Sequence, residues 1–150
     1  MNLAITFKQY DPRYIYFLEP TKNTIMPNSD FIGIIYSNND FILNGIYLII
    51  DINNILIESY YSKYKCNFNF SDNYDIINKL IIFEKEILKK YKINNKKQVL
   101  SLQNQLNLEY IKIFANTIDT SDKSIKIVLK VSGIWKNDNE YGITYKFIPL

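Results

Sequence analysis

Two stretches of the chain interleave flat rings with cations. From Ser59 to Lys65 it reads SYYSKYK, and from Lys130 to Phe147 it reads KVSGIWKNDNEYGITYKF, which holds the only tryptophan, Trp135. Single-stranded nucleic acid asks for this combination, because bases stack on aromatic faces at roughly 1–3 kcal/mol each while ammonium groups follow the phosphates. An extended chain turns successive side chains to opposite faces. In SYYSKYK this places Tyr61, Lys63 and Lys65 on one face and Tyr60 and Tyr64 on the other. In IKIVLKVSGIWK, Ile125, Ile127, Leu129 and Val131 line one face, so that Lys126, Lys130 and Trp135 project elsewhere. In YGITYKF the alternation assigns Ile143 and Phe147 to a core. The candidate stacking rings are therefore Trp135, Tyr141 and Tyr145, with Lys130, Lys136 and Lys146 on phosphates. Tyr61, Lys63 and Lys65 form a second group.

Absent residue types narrow the chemistry further. There is no histidine, which removes the usual general base near neutral pH, the Ser–His and Cys–His pairs, and the commonest zinc ligand. The single cysteine, Cys66, excludes an internal disulfide framework and reads as a small buried side chain. No glycine-rich phosphate loop occurs. The carboxylates are scattered, and Glu84 and Glu86 read as solvated charges on one helix. The expectation is a non-catalytic protein with no metal and no cofactor. All 18 basic residues except Arg13 are lysines, a bias that suits an AT-rich genome, so placement rather than abundance is what counts. The net charge is only +3, so any cationic groove has to be local.

The elements that position these residues are mostly strands. Alternation predicts strands in LAITFKQ, RYIYFLE, FIGIIYS, FILNGIYLIID and ILIESYYSKYK, with FIGIIYS, FILNGIYLIID and ILIESYYSKYK forming a meander across short turns. Ile77, Leu80, Ile81, Ile87, Leu88 and Tyr91 then recur at helical spacing, which predicts one helix over Asp75–Tyr91, with Glu84, Lys85 and Lys89 away from its apolar stripe. Strands return in QVLSLQ, LEYIKIFAN, IKIVLKVSGIW and YGITYKFI. No repeat or linker divides the 150 residues, which predicts a single domain over 1–150. No apolar run reaches bilayer length, and MNLAITFKQYD lacks the pattern of a signal peptide. A cytoplasmic protein without a membrane partner is expected. The order of strands, one helix, then strands fits a mainly β fold: a five-stranded antiparallel Greek-key barrel of the oligonucleotide-binding (OB-fold) type, with extra strands. An α+β sandwich with one helix on an antiparallel sheet also fits.

The segment KVSGIWKNDNEYGITYKF resembles the last hairpin of the viral-type single-stranded DNA-binding proteins of large cytoplasmic DNA viruses and yeast cytoplasmic linear plasmids. Gly133, Trp135, Tyr141, Gly142, Thr144, Tyr145 and Lys146 carry the resemblance. It implies an OB-fold that coats single-stranded DNA during replication, without sequence preference, alongside replication proteins. Many such proteins recruit partners through an acidic tail, and FIPL offers none. RNA is the alternative nucleic acid, distinguished only at the 2′-OH. Unpaired edge strands could pair protomers into a homo-oligomer, a state that the sequence does not specify. The competing class is a protein-interaction module, an immunity or assembly factor, whose exposed tyrosines would anchor a protein partner.

Overall fold

Alternating apolar residues become strands along most of the chain, and one strand organises the others. In the computed structural model, which describes residues 3–150, β10 (Ser124–Lys136) runs for 13 residues through the middle of the sheet. Along one side it pairs antiparallel with β11 (Glu140–Pro149). Along the other side two strands lie end to end: β5 (Ile46–Asn53) against Ser124–Val131, and β3 (Asp30–Ser37) against Gly133–Lys136. The far edge of β11 receives two parallel partners, β8 (Lys97–Gln98) and β9 (Tyr110–Ile113). From β9 the sheet continues antiparallel to β7 (Lys63–Asn67) and then to β6 (Leu56–Tyr60). Short strands β1 (Ile15–Phe17), β2 (Thr21–Lys22) and β4 (Ile42–Leu43) all pair with β3. The protein is thus mainly β with one long helix, and its sheet is mixed rather than antiparallel throughout.

The expected meander does not form. β3 and β5 turn to the same edge of β10 instead of to each other, and β6 does not fold back on β5. Asn54 takes φ 52°, and the Ile55 N–H then donates to the Lys123 carbonyl at 3.0 Å, so the chain carries on past the end of β5. Buried Asn73 secures this corner. Its Oδ1 accepts the Asn53 N–H at 2.7 Å and its Nδ2 donates to the Asn53 carbonyl at 3.0 Å, as a neighbouring strand would. The N-terminal strand expected in LAITFKQ is reduced to a single bridge from Ile5 to Leu48, because the Gln9 side chain and backbone fold back onto Thr6.

The helix predicted over Asp75–Tyr91 is α1 (Tyr74–Lys90), which closes the core with Ile77, Leu80, Phe83, Ile87 and Leu88. No described helix is long and apolar enough to cross a membrane. Glu84 corrects the expectation of a solvated charge, because it is 0% exposed. Its carboxylate faces α2 (Ser101–Asn107), which stands where QVLSLQ predicted a strand. Oε2 accepts the Leu102 N–H and Oε1 the Gln103 N–H, each at 2.9 Å. A seven-residue helix is marginal alone. Here a carboxylate from another element satisfies its first N–H groups, while Leu102 and Leu106 bury one face.

Burial raises the Glu84 pKa above the ordinary carboxyl value, against the opposing pull of the two N–H bonds and Lys85. The folded state therefore holds this proton more tightly than the unfolded chain does. The stability it contributes is fully present below the ordinary carboxyl pKa and is lost as pH rises through the raised one. Glu84→Gln should flatten that decline, read as melting temperature across the carboxyl range. It should also cost about 1–3 kcal/mol, because the amide NH₂ faces a backbone N–H it cannot accept.

Candidate nucleic-acid interface

The run SYYSKYK does not stay extended. It breaks at Tyr61, which takes φ 54° at the tip of the β6–β7 hairpin and is 92% exposed. The hairpin pairs Tyr60 with Lys63 and Glu58 with Lys65, and β7 pairs Lys65 with Lys112. Tyr60 therefore joins Lys63 and Lys65 on the outer face, while Cys66 is buried and Tyr64 packs against the core. Simple alternation had grouped the lysines with Tyr61 instead.

Three lysine–ring pairs occupy this outer face. Lys63 Nζ lies 4.6 Å from the centre of the Phe114 ring, Lys65 Nζ 4.5 Å from that of Tyr110, and Lys112 Nζ 5.5 Å from that of Tyr60. Such contacts contribute about 0.5–1 kcal/mol at exposed sites, little enough to yield to a phosphate. The ion pairs among the described residues are Arg13–Asp11 and Lys126–Asp51, so none of these lysines is held in a salt bridge. Glu58, the acid on this face, is engaged by Asn67 Nδ2 at 2.7 Å.

The β10–β11 hairpin divides its predicted residues between two faces. Lys130 and Lys146 are directly opposed on the outer side, with Lys130 Nζ 5.4 Å from the Tyr47 ring centre. Ser132 is an extra residue between the pairs Val131↔Tyr145 and Gly133↔Thr144, which switches the alternation of β10. Trp135 consequently shares the outer side with Gly142 and Thr144. Its ring lies against Gly142, where an added Cβ would sit 3.0 Å from Cζ2. In the same way the Phe31 ring covers Gly133.

Three expected site residues are corrected. Tyr141 is 1% exposed; its hydroxyl accepts from Gln98 Nε2 at 3.1 Å, so it is core and offers no stacking surface. Tyr145 is half-buried, packs edge-on against Phe147 and donates to the Ser101 carbonyl at 3.4 Å. Burial, with Glu84 nearby, pushes its pKa up to about 12. Lys136 pairs with Tyr141 and Asp30, on the face opposite Trp135. The Trp135–Gly142 rung lies five residues along β11 from Phe147, about 17 Å at strand spacing, so Trp135 and the lysine–ring face are separate clusters.

Sequence reasoning missed Tyr110, Lys112, Phe114 and Tyr47, and misplaced Tyr60. A signal for the first three was present: aromatic, lysine and aromatic at i, i+2 and i+4 in LEYIKIFAN share one face of an extended segment. Cys66 offers no nucleophile, because burial pushes its pKa up to about 12. No group of acidic or sulfur side chains among the described residues could hold a metal ion. What the outer surface can do is hold a polyanion that carries flat groups. No protein-family model, curated protein or solved structure matches the chain.

The glycines beneath the rings are testable. A Cβ on Gly133 would fall 2.2 Å from the Ile32 carbonyl oxygen, a backbone atom, whereas on Gly33 it meets only the end of the Leu18 side chain at 3.0 Å. Gly133→Ala should lower stability by about 1–3 kcal/mol and Gly33→Ala by much less, measured by denaturant unfolding.

Proposed function

We propose that this protein binds single-stranded nucleic acid, without sequence preference and without catalysis, on the outer face of β6, β7 and β9. The observation that carries the reading is the set of three lysine–ring pairs there, outside any salt bridge and partly open to solvent. Bases would take the rings of Tyr60, Phe114 and Tyr110, and phosphates would take Lys63, Lys65 and Lys112. Exposed Tyr61 at the hairpin tip extends the stacking surface.

The strand pairings support an OB-type barrel as the frame. β5 continues through Ile55 into β6; β6 pairs with β7, β7 with β9, β9 with β11 and β11 with β10, which returns to β5. In that order β7 and β9 are the second and third strands, the face that such folds use for oligonucleotides. α1 stands here before the third strand, whereas the usual helix follows it. The resemblance carried by residues 133–147 favours DNA over RNA, and with it a role in replicating a cytoplasmic virus or plasmid genome.

Fluorescence anisotropy of a labelled oligo(dT), set against a duplex of equal length at low and high salt, tests the reading. The single strand should bind more tightly than the duplex and weaken with salt. Phe114→Ala and Tyr60→Ala should each weaken binding roughly 5- to 150-fold, the equivalent of one lost stacking contact. Indifference to both DNAs at low salt overturns the reading and leaves the protein-interaction module, with Tyr61 as its anchor.

A further inference from the structure

We infer that the bound strand crosses the sheet, rather than following the strands, on a row of four lysines: Lys65 of β7, Lys112 of β9, Lys146 of β11 and Lys130 of β10. This rests on the nucleic-acid reading above and extends its site over two further strands. The register builds the row. Lys65 opposes Lys112 directly, and Lys130 opposes Lys146 directly. Lys112 and Lys146 each precede a residue of the paired, core-facing Ile113 and Phe147 on parallel neighbours, and both line one shallow cavity of about 150 Å³. With neighbouring strands about 4.8 Å apart, the row spans roughly 14 Å.

Directly opposed like charges on a sheet face destabilise it. Two such pairs sit side by side here, and no ion pair among the described residues includes any of the four lysines. Glu58 opposes Lys65 from β6 and accepts from Asn67 Nδ2 at 2.7 Å, and Asp51 faces Lys126 at 3.8 Å. The ammonium groups splay instead. Lys65 leans towards Tyr110 and Lys112 towards Tyr60, while Lys130 leans over Tyr47, away from Lys146. Lys65, Lys112 and Lys130 therefore each rest on a weak contact in a repulsive row that Lys146 completes, an arrangement that a chain of phosphates relieves. The Tyr47 ring sits at the β5 end of the row and supplies a stacking surface beyond Lys130.

Lys65→Gln, Lys112→Gln, Lys146→Gln and Lys130→Gln, with Lys89→Gln on the exposed face of α1 as control, test the row. Each row variant should reduce the salt slope of oligo(dT) binding by about 0.7, and the control should leave it unchanged. Lys146→Gln, which gives up no lysine–ring contact, should also raise the melting temperature of the free protein by about 1–3 °C, because it removes the repulsion from Lys130. A structural lysine would give a lower melting temperature, and that result overturns the assignment. If Lys65 and Lys112 alter the slope while Lys130 and Lys146 do not, the track stops at β9 and the inference fails while the nucleic-acid reading stands. If none of the four alters binding, both fail. Competition by inorganic polyphosphate matching that of unlabelled oligo(dT) would show a site that reads charge alone, and would overturn nucleic acid as its occupant.

Discussion

Between Val131, paired with Tyr145, and Gly133, paired with Thr144, the strand β10 carries one residue without a partner, Ser132. Side chains alternate strictly along a strand, so one extra residue exchanges the faces of everything beyond it. Before the bulge Leu129 and Val131 point inward and Lys130 outward; after it Ile134 points inward and Trp135 outward. The bulge also falls where the edge of β10 passes from β5 to β3. Without it, Trp135 would be driven into the core and Ile134 out of it, and two blocks of strands could not share one spine.

Two buried polar side chains complete the frame. Asn73 substitutes for a strand at the β5–β6 corner, and Glu84 supplies the acceptors that the start of α2 lacks. Both lie on or beside α1, so one helix holds the corner that opens the β6–β7 hairpin and also the short helix beneath Tyr145. Buried polar groups of this kind are costly when unpaired and specifying when fully paired. They direct the chain to this arrangement over others with the same apolar pattern.

On the outside the balance is reversed. The interior keeps the buried side chains of Asn73 and Glu84 hydrogen-bonded within an apolar core, while the outer face holds opposed lysines that no ion pair among the described residues includes. A surface selected for stability alone would alternate charge across the ladder. This one keeps four lysines in a row, with Glu58 at the β6 end, and rests three of them on its own rings.

The amino-acid pattern alone determined the helix to within a residue at each end, the long strands β3, β10 and β11, most of β5, and the burial of Ile143 and Phe147, because these depend on local periodicity; it did not show that FILNGIYLIID breaks at Gly45 into β4 and β5. It also placed Lys63, Lys65, Lys130 and Lys146 at the surface, where they are. Only the tertiary structure decided which rings accompany them. Tyr60 rather than Tyr61 shares the face of Lys63 because a turn of positive φ interrupts the alternation; Tyr141 is buried because β8 and Gln98 close over it. Lys112 and Phe114 join the site only through pairing between segments nearly fifty residues apart, as Lys65 with Lys112 does. Periodicity reports which side of its own strand a residue occupies. Which strand lies beside it is a long-range choice, made by the bulge, the two buried polar groups and the core they enclose.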